Sequence, residues 1–193
     1  MKLIPSLLLL ALLAGCSSTP PSEFFLLHPL SPKAAAPAEG ATPTRIQLES
    51  VELPGHLERP VLLSRPSPGR VAFSDFERWG EPLGENIQRV MELNLLNLRQ
   101  GDTIRRAPLR FKGDPDALVF LDVLDFSQDG EWARIDVRVA LMRYAPKREL
   151  VELRFSKSMK LSSPEAVDVV STYSLLLDAL AKEIDQGLDE LLK

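Results

Sequence analysis

The sequence predicts an α+β fold. The expected form is a two-layer domain: a mainly antiparallel sheet with two amphipathic helices packed on one face. Three observations predict it. Residues 117–161 contain three successive strand-like segments joined by short turns. Apolar residues recur at spacings of three and four in two other stretches, one over 81–100 and one after residue 163. The strand-like segments after residue 130 alternate cleanly, so their sheet has one packed face.

In chain order, Phe24-Phe25-Leu26-Leu27, bounded by Pro29 and Pro32, reads as a short buried strand. Residues 31–44, "SPKAAAPAEGATPT", have no periodicity and are rich in Pro and Ala, which predicts a flexible loop. "RIQLESVEL" (45–53) alternates around Ile46, Leu48 and Val51, with a slip near Ser50 that reads as a bulge. Pro54-Gly55 turns the chain, 61–63 is a short extended piece, 66–69 turns again, and "RVAFS" is a further short strand. Leu83, Ile87, Val90, Met91, Leu95 and Leu98 predict a helix over 81–100, with Pro82 in its first turn and Gly101 as its stop. "ALVFLDVLDF" (117–126) is apolar on both faces and therefore central. "SQDG" (127–130) is a hairpin turn. Strands over 131–143 and 150–161 complete a meander. The last helix is expected to start at Ser162 or Ser163, with Ser162 and Glu165 as a capping box. Its apolar stripe runs through Tyr173, Leu177, Leu180, Ile184, Leu188 and Leu191.

The N-terminus carries a different signal. Lys2 precedes an apolar run from Leu3 to Leu13, too short for a bilayer span of about 20 residues and suited to a secretory signal. Leu13-Ala14-Gly15-Cys16 resembles the lipobox of bacterial lipoproteins. The resemblance implies a diacylglyceryl group on the Cys16 thiol, cleavage after Gly15 and N-acylation of the new terminus. Cys16 is the only cysteine, which excludes internal disulfides, and a thioether explains an unpaired thiol in an oxidising compartment. More than one acyl chain gives stable anchoring. Ser17, rather than an Asp, favours the outer membrane under enteric-type sorting. The expected organisation is a signal over 1–15, a lipidated tether over 16–22 and a single periplasmic domain over 23–193. Seven tether residues at roughly 3.3–3.6 Å each keep that domain within about 25 Å of the bilayer.

Removing 1–15 leaves 178 residues, enough for one core, and a side-chain charge of −5, since only Lys2 is lost. This charge gives no sign of a nucleic-acid partner. Arg105, Arg106, Arg110 and Lys112 read as a solvated connection, or alternatively as a contact for lipid headgroups or an acidic partner. His28 and His56 are the only histidines and fall in no metal-binding spacing. The motifs of serine hydrolases, phosphate-binding loops and zincins are absent. Asp122 and Asp125 are expected on opposite faces of their strand because their spacing is odd. No metal, no cofactor beyond the lipid on Cys16, and no enzymatic activity are expected.

Function is then expected in a surface. Leu53-Pro54, "LERP" at 57–60 with Arg65 beyond it, and "FERWGEPLGENIQRV" at 76–90 resemble the PqiC family of ABC-type transport auxiliary lipoproteins. The family-typical positions are Trp79, Pro82-Leu83 and Asn86-Ile87. The resemblance implies a subunit of an MCE-type envelope system, meeting the periplasmic tube of a PqiB-like MCE-domain protein at the outer membrane. The partners it implies include the system's inner-membrane component, and a homo-oligomeric ring suits a tubular partner. Arg59, Pro60, Arg65 and Trp79 are the candidate interface, since Trp and Arg are enriched at hot spots. Structural roles are equally open: Trp79 capping the core where the loop enters the helix, Arg59 bracing a turn.

Overall fold

The structure is a computed structural model that describes residues 20–30, 42–143 and 148–193. The signal segment, Cys16, most of the 31–44 stretch and residues 144–147 lie outside the described residues. The elements run β1 (Glu23–Phe25), β2 (Arg45–Glu52), β3 (Val61–Ser67), β4 (Arg70–Trp79), α1 (Leu83–Leu98), β5 (Thr103–Arg106), β6 (Ala117–Asp129), β7 (Trp132–Arg143), β8 (Glu149–Lys160) and α2 (Ala166–Leu191).

The strands form one mixed sheet. β6, β7 and β8 are an antiparallel meander paired along nearly their whole length. The other edge of β6 is divided. Its first half pairs in parallel with β2, which carries β5; its far end meets β3 at Ser64 and Gln128, and β3 carries β4 and then β1. The contacts β1–β4, β2–β5, β2–β6 and β3–β6 are parallel, so the sheet is less uniformly antiparallel than expected. The parallel partners are separated by long connections, which a search for hairpins does not reveal.

Both helices lie on one face, as expected. α1 packs on β2 and β5, α2 packs on β7 and β8, and the helices touch each other. Ile87, Val90, Met91 and Leu95 of α1 and Leu177, Leu180, Ile184 and Leu188 of α2 are buried against Ile46, Leu48, Val119, Val139 and Leu141. Burying each such side chain contributes about 1.5–3 kcal/mol.

Several local expectations are corrected. The hairpin turn after β6 is Gly130-Glu131, since Asp129 pairs with Trp132; Gly130 supplies the positive φ (57°). Ser127 and Gln128 therefore belong to the strand. β3 and β4 run longer than the sequence pattern, joined by Pro68-Gly69 with Gly69 at φ 75°. β5 replaces the connection expected around Arg105 and Arg106; only four residues long and rich in arginine, it has no apolar alternation to reveal it. The predicted capping box does not form. Ser163 accepts from the Glu165 N–H at 3.2 Å and donates to Asp168 at 2.6 Å, with α2 starting one residue after Glu165. Asp122 and Asp125 share a face, because a bulge between Val123 and Asp125 leaves Leu124 without a Cα partner and resets the alternation.

Arg99 closes α1 and ties it to α2. Its Nε donates to Asp102 at 2.8 Å, and its Nη1 donates to Asp185 at 2.7 Å and Asp189 at 2.8 Å. Burial opposes the charge on Arg99, but the hydrogen bonds to Asp189, Asp185 and Asp102 outweigh it and raise the guanidinium pKa.

Two outcomes follow for stability. Arg99→Met leaves three carboxylates facing one another and is expected to cost about 2–3 kcal/mol in urea unfolding, with Arg99→Lys recovering part of the loss. Gly187 lies in α2 where a Cβ would come within 2.7 Å of Leu141 Cδ1. Gly187→Ala should therefore destabilise by about 1 kcal/mol, overpacking exceeding the gain in helix propensity. In a Leu141→Val background the same change should become neutral or favourable; an equal loss in both backgrounds would exclude the steric explanation.

Candidate interaction surfaces

The predicted interface residues come from the stretch between β2 and α1, and the structure divides them. Pro54 accepts from the Leu57 N–H at 2.8 Å, which closes the turn and buries Leu57. Arg59 and Pro60 are exposed just before β3. The Arg59 guanidinium lies 4.4 Å from the centroid of Phe73, a cation–π contact that also braces the hairpin. Arg65, further along β3, is half-buried and committed to β6: it pairs with Asp125 at 3.1 Å and donates to Ser127 at 3.1 Å. Trp79 is only 5% exposed. It meets Phe126 edge-on at 6.2 Å and Tyr173 at 6.4 Å, while Phe126 and Tyr173 lie 4.2 Å apart. This aromatic cluster joins the end of β4 to β6 and α2, so Trp79 holds the corner before α1 and offers no exposed face. Burial in the cluster also raises the Tyr173 pKa. Asn86 is buried and accepts from Arg89 at 3.0 Å.

The sheet face opposite the helices forms a second candidate surface. Register places side chains there in cross-strand rows: Leu118, Met142 and Leu150; then Phe120, Ala140 and Glu152; then Asp122, Arg138 and Arg154. An open concavity of about 720 Å³ covers the middle of this face, reaching Glu49 and Glu52 of β2. Phe120 is 37% exposed on its floor. Several of the charges on it are paired within the chain, while Glu52 and Glu152 add unpaired negative charge. Arg138 pairs with Asp122, Arg154 holds Asp136 through two hydrogen bonds of 2.9 and 2.6 Å, and Arg110 pairs with Glu49. The bonds from Arg154 keep the Asp136 carboxyl below its usual range.

The basic cluster borders this face. Arg105 donates to the Arg110 carbonyl at 2.8 Å and stacks on Phe111 at 4.8 Å, and Arg106 pairs with Glu92 at 2.9 Å. Leu109 accepts from Gln47 at 3.0 Å. Residues 105–111 are thus a flap fastened to β2, with its charges mostly partnered.

The third surface is the N-terminal segment, which is pinned from several sides. Gly80 N–H donates to Phe25 O at 2.9 Å and Arg89 to Leu27 O at 3.2 Å. His28 N–H donates to Ser174 Oγ at 3.2 Å, with its Nδ1 the same distance from that oxygen, and Leu30 N–H donates to Asn94 at 3.0 Å. Sheet, α1 and α2 all take part. No three His, Cys, Asp or Glu among the described residues converge to hold a metal ion.

Sequence reasoning missed the open sheet face as a surface, although the signal was present. A strand apolar on both faces, in a fold with helices on one side only, must present apolar groups such as Phe120 on its other side.

Among solved structures the chain is similar to an uncharacterized protein, with a TM-score of 0.73 and 15% identity over 88% of this chain and 99% of the other. It is also similar to protein XCC0632 from Xanthomonas campestris, of the DUF330 family, with a TM-score of 0.72 and 15% identity over 89% and 100%. These likenesses concern the fold. No curated protein sequence matches. The family model for the ABC-type transport auxiliary lipoprotein component matches residues 25–185, from the end of β1 into the last turns of α2. The chain therefore belongs to the family of ABC-type transport auxiliary lipoprotein components.

Proposed function

We propose that this chain is an outer-membrane-anchored periplasmic lipoprotein that serves an MCE-type, Pqi-like lipid transport system, docking the periplasmic tube of a PqiB-like protein at the outer membrane. The observation that carries this reading is family membership over residues 25–185. The family is one of auxiliary transport components rather than enzymes, and its lipoprotein character agrees with the Leu13-Ala14-Gly15-Cys16 motif. The tether length supports a docking role, since it holds the domain close to its own bilayer. Exposed Arg59 and Pro60 fit a partner surface better than Trp79, which is occupied in the core. Arg65 would contribute through the strand it braces. Several copies arranged in a ring around the tube are the assembly this reading favours.

A second reading, a domain that holds lipid itself, draws on the concavity over Phe120, Leu121 and Ala140. Lipid transfer by the isolated protein in the absence of any partner would favour it.

The deciding experiment is a crosslinking pull-down of the tagged, lipidated protein from whole envelopes, with Cys16→Ala in parallel. Recovery of an MCE-domain protein, weakened in Cys16→Ala, is the expected result. Clean recovery of the lipoprotein without such a partner would overturn the docking role. Arg59→Ala is expected to cost at most about 1 kcal/mol of stability while lowering partner recovery several-fold; unchanged recovery would remove Arg59 from the interface.

A further inference from the structure

The segment after the tether differs from the long edge strand β8. β8 pairs only with β7, and on the helix-free face it presents one apolar residue, Leu150, followed by Glu152, Arg154, Ser156, Ser158 and Lys160, a mostly polar display of the kind that keeps a free edge from associating. β1 is likewise an edge, paired only with β4. Here three of the outward residues are large and apolar, with His28 between them. Phe25 packs against the core and Leu27 is buried, whereas Phe24 is 68% exposed, Leu26 50% and Leu30 38%. The pinning bonds of Phe25, Leu27, His28 and Leu30 fix this alternation, so the outward row is held in place. Leu26 lies over Gly80, with its side chain 3.1 Å from where a Cβ would project. These exposed side chains add little to the core, and a held apolar row on the surface marks a contact site.

The position of the row along the chain identifies the occupant. Pro20 is four residues from Cys16 and Phe24 is eight, so Pro20 lies within about 14 Å of the lipidated residue and Phe24 within about 29 Å. No other exposed apolar residue of the described chain is so close to the anchor in sequence. We infer that Phe24, Leu26 and Leu30 form a membrane-contact edge, which lays the N-terminal side of the domain against the phospholipid surface in which its own acyl chains are embedded. This inference rests on the lipoprotein reading of Cys16. Phe and Leu side chains at such an edge enter the boundary between headgroups and acyl chains without spanning it. The contact fixes the orientation of the domain, so that the opposite end faces the periplasm.

The test places a reporter in the row. Phe24→Trp is introduced in a Trp132→Phe background, leaving Trp79 as the buried internal reference. The lipidated full-length protein is reconstituted in vesicles of phosphatidylethanolamine and phosphatidylglycerol with a doxyl quencher high on the acyl chain. Its quenching is compared with that of Trp132 in the parent protein. Emission from position 24 should shift to the blue and be quenched at least about threefold more strongly than Trp132, as expected of a side chain at the headgroup boundary. Protein that floats with the vesicles but is quenched no more at position 24 than at Trp132 would overturn the membrane-contact edge while leaving the anchor intact. A blue shift that appears only when an envelope protein is added would overturn it in favour of a protein partner. Failure to float, with an unmodified Cys16 by mass spectrometry, would instead defeat the lipoprotein reading and the inference with it.

Discussion

The structure depends on β6 being hydrogen-bonded along both edges. One edge is occupied end to end by β7. The other is shared, first by β2 and then by β3. This division lets one sheet carry two different groups of strands. The β2–β5 pair supports α1, while the β3–β4 pair supports β1 and the N-terminal segment. β6 is apolar on both faces, with Val119, Leu121 and Val123 toward the helices and Leu118 and Phe120 on the reverse. The aromatic cluster of Trp79, Phe126 and Tyr173 lies near the second group and ties its last strand back to β6 and α2.

A two-layer domain leaves one sheet face without helices. This chain deals with that face by opposite charges on adjacent strands: Asp122 with Arg138, and Asp136 with Arg154. Exposed pairs of this kind contribute little to stability, about 0–1 kcal/mol each. Their use is to keep a concave, partly apolar surface in solution while leaving it only a small negative charge, from Glu52 and Glu152. The flap over residues 105–111 borders the same surface, which is why a run of arginines that looks like an anion site in sequence is mostly occupied with its own chain.

Much of the fold was legible because periodicity is a local property. The meander, both helices and the packing of the helices on one face follow from spacings such as Leu83, Ile87 and Val90 or Ile135, Val137 and Val139. What stayed hidden depended on pairing between distant residues. The parallel partners of β2 and β3, the four-residue β5 and the bulge that brings Asp122 and Asp125 to one face have no short-range signature. The same holds for the surfaces. Arg59 was found in an exposed position, but the burial of Trp79 depends on Phe126 and Tyr173, which lie 47 and 94 residues further along the chain. The apolar character of 24–27 was visible; that its alternate residues point outward was not, because four consecutive apolar residues carry no alternation.

The pinned N-terminal segment has a mechanical consequence. In the docking role proposed above, a pull between the membrane and the partner would enter this domain through Pro20. The first bonds it meets belong to the β1–β4 pairing. Behind them stand four separate fastenings: Phe25 to Gly80, Leu27 to Arg89, His28 to Ser174 and Leu30 to Asn94. They lead into the sheet, α1 and α2. The load path therefore branches into three elements before it reaches the core, and loss of any one fastening passes its share of force to the others instead of peeling the edge strand away.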